Sequence, residues 1–143
     1  MYPQEFMDDE ELTEYDYAIL RVDTDTNGNH IGDRAGTLSW REAGTITGNS
    51  YLATYGYPGD KRDETGTLSL WGMSGRSSST LKNELLYYNM DTARGQSGSP
   101  VLDLQDRMVA VHSTGYSIGG IPQFNGGPKI RKDFTVLFNE MNR

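Results

Sequence analysis

The chain is 143 residues long, enough for one domain with a real core, and its 35% hydrophobic content favours a folded protein over a disordered one. A net charge of −7, with acid concentrated between Glu5 and Glu14, makes the chain a poor partner for nucleic acid or an anionic membrane, both of which need clustered Lys and Arg. The absence of cysteine excludes disulfides, thiol catalysis and cysteine-held zinc, and no apolar run approaches a membrane span.

In chain order, the residues after Met1 (Tyr2-Pro3-Gln4-Glu5) have neither the basic start nor the apolar core of a signal peptide. The chain is therefore expected to be either intracellular or the mature or truncated part of a longer product. The acidic run from Glu5 to Glu14 reads as a solvated loop. Asp16 then enters an apolar strand, Tyr17–Val22. The loop Asp23-Thr24-Asp25-Thr26-Asn27-Gly28 echoes the opening of a calcium loop, with Asp23, Asp25 and Asn27 as candidate ligands. Arg34 stands where the bidentate acid belongs, so a polar hairpin is the preferred reading, with no cofactor expected.

Further strands are predicted at Ala43–Thr47, Tyr51–Tyr57, Gly66–Met73, Leu85–Asn89, Pro100–Leu104 and Met108–His112, separated by Gly, Pro, Asn and Asp turns. Ser77-Ser78-Ser79-Thr80 reads as a polar loop. So many short strands suggest an all-β barrel or sandwich. One helix is predicted at the end, because Ile130, Phe134, Leu137, Phe138 and Met141 fall on one stripe of a 3.6-residue period.

The segment Gly95-Gln96-Ser97-Gly98-Ser99-Pro100, preceded by Asp91-Thr92, carries the chemistry. Acyl transfer by serine needs a hydroxyl on a tight turn beside outward-pointing N–H groups. Glycine on either side of Ser97 permits such a turn, and Pro100 stiffens its exit.

These motifs, together with Asp16-Tyr17-Ala18-Ile19-Leu20, Gly56-Tyr57-Pro58-Gly59-Asp60-Lys61, His112-Ser113-Thr114-Gly115 and Phe124-Asn125-Gly126-Gly127, resemble the bacterial glutamyl endopeptidases. That family is a cysteine-poor branch of the chymotrypsin-like serine proteases. The resemblance runs from about Asp16 to the C-terminus. It implies a chymotrypsin-like antiparallel β-barrel fold: an incomplete N-terminal barrel over 1–40 carrying the catalytic acid, and a complete C-terminal barrel over 41–143 closed by a helix. It also implies a secreted, extracellular enzyme acting on proteins or peptides.

The resemblance assigns Ser97 as nucleophile, Asp16 as the acid that orients the base, and the N–H groups of Gly95 and Ser97 as oxyanion donors. It places Thr92 and His112 in a pocket for a substrate Glu or Asp, and Ser113, Thr114 and Gly115 as a strand that pairs with substrate backbone. Asp91, six positions before Ser97, matches the acid of Arg/Lys-specific pockets in the wider superfamily, but His112 would obstruct such a pocket. Arg94 departs from the glycine usual in the family, which leaves the pocket entrance open to a different charge.

The general base is missing from this pattern. The chain holds two histidines, His30 and His112, and the family's catalytic histidine precedes the acid. The order Asp16, His30, Ser97 superficially matches subtilisin-like enzymes, but the subtilisin serine motif is absent and His30 sits in a polar loop. Tyr2-Pro3-Gln4-Glu5-Phe6 looks like the interior of the barrel loop before the acid. The expectation is a fragment, one part of a nicked enzyme whose other part supplies the histidine, or a pseudo-enzyme. The alternative from another class is a catalytically inactive interaction domain on the same barrel.

Overall fold

The computed structural model describes residues 1–9, 11–44, 46–78 and 82–141. Thr45 of the strand predicted at Ala43–Thr47, and Ser79 and Thr80 of the predicted polar loop, lie outside the described residues. Helix α1 (Gln4–Asp8), a 3₁₀ turn (Thr13–Tyr15) and α2 (Ile31–Ala35) occupy the first third. Then follow β1 (Tyr51–Gly56), α3 (Gly59–Thr65), β2 (Trp71–Arg76), β3 (Leu85–Tyr88), β4 (Pro100–Leu102), β5 (Met108–Val111), β6 (Thr114–Ile118), β7 (Ile121–Pro128) and α4 (Lys132–Met141).

All strand pairs in the sheets are antiparallel. One sheet has the order β2-β1-β4-β5 and the other β3-β7-β6. Bridges Ser77↔Tyr88 and Ala110↔Lys129 join the sheets at both seams, so that the strands run in a ring β1-β2-β3-β7-β5-β4. At the second seam the Ile130 N–H donates to the Val109 carbonyl (2.8 Å). Leu52, Leu86, Tyr88, Met90, Val101 and Val109 fill the interior. Strand β3 is buried at all four residues.

A second cluster forms where α4 docks. Phe134 packs against Tyr17 (ring centroids 5.7 Å apart) and edge-on to Trp40 (5.5 Å), and Phe138 also meets Trp40 edge-on (5.7 Å). The apolar stripe predicted for this helix thus does hold it to the barrel, although Ile130 lies just before the first turn.

Several predicted elements are corrected. Tyr17–Val22 belongs to no sheet; among the described residues Ile19 exchanges backbone hydrogen bonds with Met1 alone (both 2.7 Å), and Leu20 and Val22 are exposed. Apolar composition alone cannot form a ladder without a neighbouring strand. The strand expected from Gly66 starts at Trp71, because Gly66 takes the left-handed conformation that ends α3. No strand occupies the described part of Ala43–Thr47, where Ile46 N–H turns back to the Ala43 carbonyl (2.9 Å). The acidic run is partly helical rather than a plain loop. Strands β6 and β7 were not predicted: the Gly-rich composition of 114–128 hides their alternation.

At the turn between β4 and β5, Asp103 is buried and accepts from Arg41 Nε (2.7 Å), Arg107 Nη2 (2.8 Å), and the N–H groups of Gln105 and Arg107. Burial works against its charge, but the hydrogen bonds from Arg107 and Arg41 outweigh it and hold the carboxyl far below the usual carboxylate range.

Candidate active site

Ser97 lies on the loop between β3 and β4, and it is exposed. The turn is built by local bonds. Gln96 N–H donates to the Ala93 carbonyl (3.3 Å), Ser99 N–H to the Gln96 carbonyl (3.0 Å), and Gly98 N–H to the His112 carbonyl (2.8 Å). The buried Gln96 side chain accepts the Ala93 N–H (2.7 Å) and so locks the loop from below. Gly95 has φ +98°, and a Cβ there would come within 2.6 Å of the Tyr57 carbonyl oxygen. Only glycine fits this bend.

The bonds left over matter most. Among the described residues, the N–H groups of Gly95 and Ser97 have no acceptor, whereas those of Gln96, Gly98 and Ser99 do. Two unclaimed amide donors therefore flank an exposed hydroxyl, the arrangement that stabilises an oxyanion.

Asp16 and Ser97 are brought together through one residue. Ser113 Oγ–H donates to Asp16 Oδ2 (2.5 Å), while Ser97 Oγ–H donates to the Ser113 carbonyl (3.1 Å). Asp16, Ser97, Gly98, His112 and Ser113 line one open cavity of about 750 Å³, whose remaining wall is mostly apolar, with Tyr2, Phe6, Ile19, Leu20, Trp40 and Phe138. Ser113, Thr114 and Gly115 follow at the start of β6, which pairs with β7 on one side and forms the end of its sheet on the other. An edge strand beside the hydroxyl can accept one more extended chain.

His112 is buried, and its Nδ1 lies 2.6 Å from the Tyr88 hydroxyl. Burial pushes its pKa below the ordinary histidine value, which the Gly126 carbonyl only partly offsets. His30 is exposed, does not line the Ser97 cavity, and caps α2 by donating its N–H to Asp33 Oδ2 (2.8 Å).

Thr92 and His112, expected to share a substrate carboxylate, line different cavities. Thr92 lies with Asp91, Lys61, Trp71 and Gln96 around a space of about 180 Å³. Asp91 also reaches a cavity of about 380 Å³ walled by Gly115, Tyr116 and Asn125, which Asn125 Nδ2 closes by donating to the Met90 carbonyl (2.8 Å). Arg94 is exposed; its carbonyl accepts the Gly59 N–H (2.6 Å).

In the acidic loop, the Asp25 carboxylate accepts the N–H groups of Asn27 (2.8 Å) and Asn29 (2.9 Å). Among the described residues, no three His, Cys, Asp or Glu side chains converge as a metal site. Two contributors escaped the sequence reading. Ser113, expected to pair with substrate backbone, also binds Asp16, and Tyr88, in a strand expected only to be apolar, binds His112. Nothing in the spacing of either signals its partner.

Residues 2–111 match the model of the trypsin-like peptidase domain. The chain is 30% identical over 137 residues to a glutamyl endopeptidase of Staphylococcus aureus strain MRSA252, covering 92% of this chain and 36% of that protein. The corresponding protein of strain MW2 is 29% identical, with 92% and 39% covered. Among solved structures, a Glu endopeptidase in complex with MPD superimposes with a TM-score of 0.83 at 36% identity, over 98% of this chain and 60% of that one. The likeness to tobacco etch virus protease with product (TM-score 0.51, 17% identity, 73% of this chain and 42% of that one) extends to the fold alone. The architecture is thus the chymotrypsin-like fold: antiparallel strands with a terminal helix. The chain spans well under half the length of the curated relatives it matches. No helix among the described residues is long and apolar enough to cross a membrane.

Proposed function

The chain belongs to the trypsin-like peptidase domain family, and on that footing we propose that it is the nucleophile-bearing part of a secreted serine endopeptidase that cuts proteins or peptides after Glu or Asp. The observation that carries this reading is the exposed Ser97 hydroxyl between two amide donors that have no acceptor among the described residues. Ser97 Oγ attacks the scissile carbonyl carbon and yields its proton to a base. The carbonyl oxygen, now negative, is received by the Gly95 and Ser97 N–H groups. Collapse expels the amine, which takes the proton, and water then releases the acyl group by the same route.

The base is the finer point. Asp16 is already oriented by Ser113, yet the ring that this acid would hold is not furnished by His30 or His112. We infer that a histidine-bearing polypeptide completes the site by seating in the apolar cavity between Asp16 and Ser97. Its size and lining support this, as does the 60% share of the solved Glu endopeptidase that this chain spans. His112, on the Ser97 side of the molecule, is the donor for the substrate carboxylate. Thr92 and Asp91 border the neighbouring spaces, and the edge of β6 from Ser113 to Gly115 takes the substrate backbone.

The lack of an imidazole between Asp16 and Ser97 favours one rival, an inactive interaction domain. Peptides differing only in Glu, Gln or Arg before the scissile bond, offered to the full-length protein, separate the two. Cleavage after Glu, abolished by Ser97→Ala, is expected. Preference for Arg would transfer the specificity role from His112 to Asp91. No cleavage of any of the three would favour the interaction domain.

A further inference from the structure

We propose that Tyr88 is the positioning residue of the specificity histidine: its phenol donates to His112 Nδ1 and so fixes the imidazole with its proton on Nε2. This rests on the reading of His112 as the donor to a substrate carboxylate. Tyr88 is fully buried in β3, in the barrel wall, and its ring lies 6.0 Å from that of His112. The O···Nδ1 separation is 2.6 Å, and the hydroxyl has no other partner among the described residues. A buried phenol O–H without an acceptor is costly, so the proton of this short contact belongs to the tyrosine and the lone pair to Nδ1.

Burial supports the same assignment from both ends. It raises the Tyr88 pKa, with Tyr116 adding a smaller push, and it lowers that of His112, so the pair meets as neutral phenol and neutral imidazole. A neutral imidazole that accepts at Nδ1 must donate at Nε2. The ring is thereby set as a hydrogen-bond donor, the form that binds a carboxylate, before substrate arrives. Without Tyr88 the two tautomers would compete, and the acceptor form would repel that carboxylate.

The two histidines make the test direct. In the full chain labelled with ¹⁵N-histidine, long-range ¹H–¹⁵N correlation at pH 7 should show His112 protonated at Nε2 and bare at Nδ1, with His30 identified by its loss in His30→Gln. Tyr88→Phe, its fold checked by the amide spectrum, should lose this preference, moving both ring nitrogens toward averaged shifts. A wild-type His112 protonated at Nδ1, or ring shifts unmoved in Tyr88→Phe, would overturn the proposal. Titration with N-acetyl-L-glutamate separates it from the reading beneath it. Nε2–H with a ligand-dependent shift supports both. Nε2–H without response supports the Tyr88 assignment and sinks the glutamate role of His112. Nδ1–H with a response does the reverse.

Discussion

At Ser97 the chemistry depends on hydrogen bonds that are absent. Among the described residues the amides of Gln96, Gly98 and Ser99 have acceptors whereas those of Gly95 and Ser97 do not, so the loop holds two donors ready when charge develops. Ser97→Ala should therefore lower peptidase activity of the completed enzyme by roughly 10⁵–10⁶-fold while leaving its melting temperature unchanged, since the side chain is exposed. Gly95→Ala should act differently. A Cβ aimed at the Tyr57 carbonyl at a positive φ forces the bend open, costing roughly 1–3 kcal/mol in urea unfolding and also displacing a donor. Much of this was legible in sequence, because a Gly-x-Ser-Gly turn states its own geometry. The Ser113–Asp16 bond was not, since it joins residues 97 positions apart and depends on how β6 is placed.

Element by element, the strands that could be read were those with a buried apolar core and a clear turn at each end. Strands β1, β3 and β5 emerged close to their expected limits. Strands β6 and β7 did not, because Gly115, Gly126 and Gly127 replace the side chains whose alternation would reveal them. Gly126 and Gly127 are there for close approach: a Cβ on Gly126 would meet the Leu86 carbonyl oxygen at 2.5 Å, and one on Gly127 would collide with the Val111 carbonyl across the β5–β7 seam. The Tyr17–Val22 segment fails as a strand for the opposite reason, having the right residues and no partner strand. The terminal helix obeyed its period, and Phe134 is its anchor between Tyr17 and Trp40. Phe134→Ala should cost about 3–5 kcal/mol by urea denaturation, against under 1 kcal/mol for a substitution at the exposed Val136.

Over the whole molecule, stability and completeness respond to different variables. Asp103 ties Arg41 and Arg107 to the β4–β5 turn, and its folded pKa lies far below the ~3.9 of an unfolded aspartate. A depressed carboxylate stabilises above its unfolded pKa, and that contribution fades as pH falls from about 4 downward. Asp103→Asn should thus cost about 1–3 kcal/mol at pH 7 and progressively less toward pH 3, as urea midpoints across that range would record. On the proposed reading, the catalytic apparatus depends instead on the histidine-bearing polypeptide inferred to seat in the apolar cavity between Asp16 and Ser97. The most direct measurement is the rate at which a fluorophosphonate labels the full chain, with and without added imidazole. If Ser97 is a nucleophile awaiting its base, labelling will be slow in the chain alone, accelerate with imidazole, and vanish in Ser97→Ala. Fast labelling indifferent to imidazole, label on another residue, or none at any imidazole concentration would contradict that assignment.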